Sequence, residues 1–532
     1  MRLAAVCAVL VALAFAAVAP AQAYDERPMR LPGAGPRAAG APSQPAAWLV
    51  AAEPGSPHAA AIARRFGARR LRVGAVYRVA TGRARAFAAA LRGVRALRYA
   101  EPDVPLRRAS AFDAQPSGYA RGVIVDPGLL PPAPGAASVA VVDDRVDVTH
   151  PDLVASTRQL NPGPVLGDHG TAVASAAAGA FNGFGVVGIF PSAPVLSVGV
   201  SPELECAEAS DGILAAADAG ARVINLSFGT PEHCATLFAA VQIAYGRGSL
   251  VVASAGNEFA AGNPVIFPAA YPHVLSVAAL DRSLKAADFS SENAAVDVAA
   301  PGVDVPVAIP VAFDTQDGRA DAIATASGTS FSAPMVSGAA AWLATTRPGL
   351  SNGQLADVLR QSARDVGPPG YDASTGFGLI QMRAALASAT PASDVFEPND
   401  GISFVDGSVF AKPDPYVWRG GRRRTLRASA DEVEDPIDVY RIRLRKRSRA
   451  RIRLLPSFGN PDLYVFRSSA RSIRDRSKII ARSKKRGTRR TDSVRITNAK
   501  RSARRLYVMI RLGRSSRLDV SYRLKLQRIK RR

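Results

Sequence analysis

The sequence predicts an α/β protein: a mainly parallel sheet flanked by helices, preceded by a small α+β unit and followed by a β-sandwich. Three observations carry this. From Ser138 to about Ala387, short β-rich runs alternate with Ala-rich helical stretches, the pattern of a parallel sheet with helical crossovers. The strand candidates there are apolar runs without strict alternation, as expected where both faces of a strand are covered. From about Ser393 the helical pattern fades and apolar–polar alternation takes over, as in antiparallel strands with one wet face.

The chain begins with Arg2, an apolar run from Leu3 to Val18 and the small-x-small site Ala21-Gln22-Ala23. That is an export signal over residues 1–23, and it is short for a membrane span of about 20 residues. No other stretch is long and apolar enough to cross a membrane, so the protein is expected to be secreted, extracellular or bound at the cell surface. Residues 24–45 are rich in Pro, Ala and Gly and read as a linker. A unit of about 60 residues follows over 46–108, small for independent stability. Its strands are Ala47–Val50, Val76–Val79 and Ala96–Tyr99; its helices are Pro57–Phe66, with Ser56 as cap, and Arg83–Leu91.

The body of the chain spans 109–390. Strands are expected at Val139–Val142, Val195–Val200, Val223–Leu226, Leu250–Ala253 and Val274–Val277. Helices are expected at Ala172–Ala178, Gly212–Ala219, Ala235–Tyr245 and Pro334–Thr345, with Pro334 in the first turn of the last. Of three cysteines, Cys7 lies in the signal. Cys206 and Cys234 remain as an even pair in an exported protein, the pattern of one disulfide, against the plainer reading of two buried thiols. Residues 391–532 carry 39 Lys and Arg against 14 Asp and Glu, so the net charge of +24 belongs to this region and the rest is nearly neutral. Its strands are expected at Val439–Leu444, Arg451–Leu454, Leu463–Phe466, Tyr507–Ile510 and Tyr522–Leu526.

Four segments carry chemistry. Ser330, in Gly328-Thr329-Ser330-Phe331-Ser332-Ala333-Pro334, sits just ahead of a helix, where the dipole and free N–H groups suit a developing oxyanion. His169 opens an Ala-rich helix after a Gly-Asp turn and is the candidate base. Asp143 ends the buried run Val139–Val142, where open α/β sheets place their sites, and would orient the histidine. Asp144 is adjacent, and strand alternation lets only one of the two point at His169. Asn257 follows a strand and a glycine turn, and its amide would donate to an oxyanion with the Ser330 N–H. Each segment alone also reads as an ordinary turn, cap or helix start.

Together, in the order Asp, His, Asn, Ser, they resemble the subtilisin-like serine proteases. Val139–Asp143 with His150-Pro151-Asp152-Leu153, His169-Gly170-Thr171-Ala172-Val173-Ala174 and Gly328–Pro334 are similar to that family's three motifs. Val187–Ala193 and Asn225–Gly229 resemble further family segments, and Tyr99–Asp103 resembles the end of its inhibitory prodomain. The resemblance implies a secreted serine endopeptidase acting on polypeptides through an acyl-enzyme. It would be made as a self-processing zymogen, with residues 46–108 as its own inhibitor and a monomeric catalytic domain over 109–390. It also implies that Ser227, Phe228 and Gly229, with Ser254, Ala255 and Gly256, flank the substrate, Phe228 altering the pocket wall. No catalytic cofactor is implied. Asp152 resembles a calcium ligand of the family, but the loop 182–188 is short, so no metal site is predicted. Two departures stand out: Asp144-Arg145 replaces the usual Thr-Gly or Ser-Gly, and only 26 residues separate Asp143 from His169.

The segments Glu397-Pro398-Asn399-Asp400, Asp438–Ile442 and Gly459–Val465 resemble a pre-peptidase C-terminal domain. The basic runs Arg441–Arg453 and Lys484–Arg490 depart from it. They would attach the protein to an anionic cell-surface polymer, a lipopolysaccharide or a nucleic acid; a solvated face or a tail removed on maturation is the alternative. A different class of function is a catalytically impaired pseudoprotease that binds anionic surfaces through this region.

Overall fold

In the computed structural model, the described residues are 46–529 apart from 105–106, 109–110, 114–118, 127, 134, 136, 315–320, 392–393, 411, 431–436, 458, 486, 488–489 and 513–519. The signal, the linker and Cys7 lie outside them, as do parts of the basic run 484–490.

The first unit runs β1 (Ala47–Ala52), α1 (Ala59–Phe66), β2 (Arg69–Arg70), β3 (Val76–Ala80), α2 (Thr81–Gly93) and β4 (Leu97–Pro102). Its antiparallel sheet has the order β2-β3-β1-β4. One face, with Trp48 and Val50, packs under Phe87 and Leu91 of α2. The other, with Leu49 and Ala51, joins the core of the next domain. Ser56 is no cap: α1 starts later, after His58, with no side-chain cap bond.

The central domain contains β5 (Val139–Asp143), β6 (Thr157–Gln159), α3 (His169–Ala178), β7 (Val195–Gly199) and α4 (Cys206–Asp218). It continues with β8 (Val223–Leu226), α5 (Ala235–Gly246), β9 (Leu250–Ser254), β10 (Val274–Leu280), β11 (Val298–Pro301) and α6 (Thr329–Thr346). Seven strands form one parallel sheet in the order β11-β10-β9-β8-β5-β7-β6. The apolar runs are explained by two cores. Val139 and Val141 face the one formed with α3 and α6, while Ala140 and Val142 face the one formed with α4 and α5.

Pro334 is not in the first turn of α6. The helix starts at Thr329 and Pro334 lies inside it. A proline there leaves the carbonyl four residues back without its helical donor. That carbonyl belongs to Ser330 and accepts from the Ser227 hydroxyl at 2.8 Å instead.

The C-terminal region is a sandwich of β12 (Arg423–Ala430), β13 (Ile437–Leu444), β14 (Ser448–Pro456), β15 (Asp462–Arg467), β16 (Ile479–Ser483), β17 (Asp492–Asn498), β18 (Arg504–Arg511) and β19 (Val520–Ile529). The two antiparallel sheets have the orders β12-β19-β14-β17 and β13-β18-β15-β16, and they enclose Ile442, Ile452, Leu463, Val508 and Leu524. The sequence reading missed β12, β16 and β17. The sandwich meets the central domain at His273, whose ring stacks on Tyr245 at 4.1 Å. His273 Nε2 lies 3.1 Å from Asp400 and 3.4 Å from Glu397.

Candidate active site

Asp143 ends β5 at the centre of the sheet and is fully buried. His169 starts α3, and its Nδ1 lies 2.9 and 3.0 Å from the two Asp143 oxygens. A carboxylate only accepts, so the ring proton sits on Nδ1 and Nε2 is left as the basic nitrogen. Gly170 makes this approach possible: a Cβ there would lie 1.9 Å from the Asp144 carbonyl oxygen. Of the two adjacent acids, Asp143 is the one that meets His169. Asp144 donates its backbone N–H to Asp143 Oδ1 at 2.7 Å and lays its carboxylate against Gly167. Arg145 turns away to the carbonyls of Asn161 at 2.9 Å and Pro164 at 3.3 Å. The residues that replace the usual pair are thus built into the turn.

Ser330 lies in the first turn of α6, next to Phe331, whose ring centroid is 5.7 Å from that of His169. The Ser330 hydroxyl donates to the Ser227 carbonyl at 3.1 Å rather than to the histidine. His169 Nε2 is buried and has no hydrogen-bond partner among the described residues. Ser227 is held in turn: Asn225 donates to its hydroxyl at 2.9 Å, and Ser337 donates to Asn225 at 2.9 Å.

Asn257 follows β9, and its Oδ1 accepts from the Thr329 N–H at 3.0 Å and the Thr329 hydroxyl at 2.8 Å. Two donors on one atom identify it as the oxygen, so the amide NH2 is free to point elsewhere. The Thr329 hydroxyl accepts from the Gly256 N–H at 3.3 Å. Gly256 itself has φ +107°, and a Cβ would lie 2.6 Å from Ile266. The positioning hydroxyls of Ser227 and Thr329 escaped the sequence reading. Their signal was present, since each adjoins a motif residue.

The short strand Phe228–Gly229 pairs antiparallel with Arg107–Arg108, so the chain's own extended backbone lies along this edge. The Phe228 side chain is fully buried and belongs to the core that holds Leu226 and Val251, while its backbone pairs with 107–108. Ser254, Ala255 and Gly256 close β9 beside Asn257 and are buried.

Cys206 and Cys234 are joined in a disulfide with their Cα atoms 6.7 Å apart. The bond links the starts of α4 and α5. Those helix starts carry the first unit. Glu101 accepts from the N–H groups of Ala235 at 2.7 Å and Thr236 at 2.9 Å and from the Thr236 hydroxyl at 2.7 Å. Asp103 accepts from the Ala207 N–H at 2.9 Å. Carboxylates at helix N-termini satisfy orphan N–H groups and complement the dipole. Asp152 accepts from the Val186 N–H at 2.8 Å and Asn182 Nδ2 at 3.2 Å, so both oxygens are engaged by the short loop.

The subtilase family pattern matches residues 135–378. Subtilisin Savinase of Lederbergia lenta is 36% identical over 255 residues, which cover 46% of this chain and 89% of that protein. The chain belongs to the subtilase family. The thermophilic serine proteinase of Bacillus sp. (strain AK1) is 37% identical over 245 residues, covering 44% of this subtilase and 57% of that protein. The alkaline protease of Shouchella clausii is 36% identical, with 63% of its length covered. The fold of this subtilase is shared with fervidolysin from Fervidobacterium pennivorans, a keratinolytic enzyme related to subtilisin. That likeness has a TM-score of 0.57 at 19% identity and covers 86% of each chain. This subtilase is accordingly a serine endopeptidase.

Proposed function

We propose that Ser330, His169 and Asp143 are the catalytic triad of a secreted endopeptidase made as a self-processing precursor. One observation carries this reading: His169 is fixed through Nδ1 by both oxygens of Asp143, while its Nε2 is buried without a partner among the described residues and its ring lies 5.7 Å from that of Phe331, the neighbour of Ser330. Turning the Ser330 side chain from Ser227 towards Nε2 fills that vacant bond. Nε2 then takes the hydroxyl proton as the oxygen attacks a peptide carbonyl. The Ser330 N–H and the Asn257 amide hold the oxyanion. His169 returns the proton to the leaving amine, and water releases the acyl group. The backbone of Ser227–Gly229 and Ser254–Gly256 lies along the substrate, in the way that Phe228–Gly229 now pairs with 107–108. The unit 46–108 blocks that groove until it is cut from the rest and released.

A fluorophosphonate should label Ser330 in the wild type and fail to label His169→Ala. Expression of Ser330→Ala should leave the first unit covalently attached. Full processing of that variant, or labelling that survives loss of His169, refutes the assignment.

A further inference from the structure

The sheet β12-β19-β14-β17 has one face in the sandwich core and one outside. Leu426, Leu524, Ile452 and Val494 point inward. The alternate positions point out, and the register sets like charges directly opposite one another. Arg427 faces Arg523, Arg453 faces Lys525, and Arg451 faces Arg495. Arg423 completes the set beside Gln527, and the remaining outward positions of these strands are Ser, Thr, Leu455, Ile529 and Arg449, with no acid and no aromatic residue. Among the described residues none of these seven cations has a carboxylate within salt-bridge distance. Arg423, Arg451, Arg453, Lys525 and Gln527 line a hollow of about 170 Å³.

Like charges opposite each other destabilise a sheet. Lys525 registers the crowding: partial burial, and then Arg523, Arg423 and Arg453, push its ammonium pKa down. Among the described residues no acid offsets this arrangement, which an anionic ligand would do. Strands about 4.8 Å apart, with outward residues about every 6.8 Å, make a flat grid of cations. Guanidinium forks pair bidentately with phosphate oxygens. The charge density of the grid suits a nucleic-acid duplex, with one charge per about 1.7 Å of axis. The lack of aromatic residues removes the stacking platform that single strands use, which favours a duplex whose bases are already paired.

We propose that this face binds the phosphate backbone of double-stranded nucleic acid without reading its sequence. The inference does not depend on the catalytic assignment.

The test uses the full chain carrying Ser330→Ala, so that it stays intact, and a 20-base-pair DNA duplex of arbitrary sequence. With about five phosphates contacted, log K should fall against log salt with a slope near −4.5, about 500-fold from 50 to 200 mM. Replacing Arg423, Arg451, Arg453 and Lys525 by Thr should make the slope shallower by about 3.6 and weaken binding at 50 mM at least about 100-fold. The same four-fold change at Arg443, Arg467, Arg505 and Arg511, on the other sheet, should leave most of the binding. If the first variant does not melt like its parent, single Arg451→Glu replaces it and should lower the slope by about 1. Failure to bind duplex at 50 mM, equal loss in both four-fold variants, or tighter binding of polygalacturonate or single-stranded DNA overturns the proposal.

Discussion

Thr329→Val removes one hydroxyl from a fully buried side chain of nearly the same shape. Two bonds go with it. Asn257 Oδ1 loses the donor at 2.8 Å and keeps the Thr329 N–H at 3.0 Å. The Gly256 N–H loses its acceptor at 3.3 Å. A neutral hydrogen bond is worth about 0.5–1.5 kcal/mol net, so the productive orientation of the Asn257 amide should become about 2- to 13-fold less populated. The ceiling is loss of the donor itself, about 10²–10³ in kcat, a magnitude that comes from a subtilisin. We therefore expect kcat to fall about 5- to 10-fold. KM should hold, because the oxyanion contact exists only in the transition state. The orphaned Gly256 N–H should separately cost about 1–3 kcal/mol of stability, visible as a lower Tm. Steady-state kinetics with a chromogenic peptide check the first part. The decisive measurement repeats the change in an Asn257→Ala background, where it should no longer affect kcat. An undiminished effect there, or an effect carried by KM, refutes the view that Thr329 works through Asn257.

Gly170→Ala should lower kcat more than about 100-fold while KM changes little, since a Cβ 1.9 Å from the Asp144 carbonyl displaces His169 from Asp143; kinetics at constant pH test it. Cys206→Ser opens a loop with a sequence separation of 28 and should cost roughly 3–4 kcal/mol on chain-entropy reasoning, read as a lower denaturation midpoint without reductant. His273 supplies a pH dependence. Burial pulls its pKa down, but Asp400 and then Glu397 reverse this and raise it from 6.5 to about 10. A base raised in the folded state stabilises fully below its unfolded value and loses that contribution as pH rises through the folded one. The wild type should therefore lose stability between about pH 6.5 and 10, and His273→Gln should flatten that profile in thermal melts at stepped pH. Matching profiles would remove the junction from consideration.

Much of the central sheet was legible because its strands are covered on both sides. Val139–Val142 and Leu250–Ala253 are uninterrupted apolar runs, and Val223–Leu226 and β10 are broken only by Asn225 and Ser276; a parallel sheet between helices is the arrangement that buries both faces. The proposed triad could be read from the sequence because each member adjoins a turn that its element requires. What failed to show had physical reasons. The start of α6 was placed at Pro334, since proline favours a first turn; in fact it sits deeper, where the missing N–H releases the Ser330 carbonyl to Ser227. The burial of Phe228 was not legible, because a two-residue strand gives no alternation to say which face is the core. β12 was invisible because Leu426 is its one large apolar residue. Its other inward residues are the small Ala428 and Ala430, and the positions between are Thr425, Arg427 and Ser429, which a hydrophobic pattern reads as loop.

The bond between Cys206 and Cys234 bears on the order of events in the life of the chain. It ties two helix starts whose first amides are occupied by Glu101 and Asp103. Those carboxylates belong to a unit that is proposed to depart, and when it does the amides pass to water. The covalent tie does not depart. Thiols oxidise after a chain has left a reducing compartment, so in the exported precursor proposed above the tie would form while the carboxylates still hold the two ends in place. The acids would then act as a jig and the sulfur bridge as the rivet set in it, and the processed protein would keep a spacing that a discarded part once measured out.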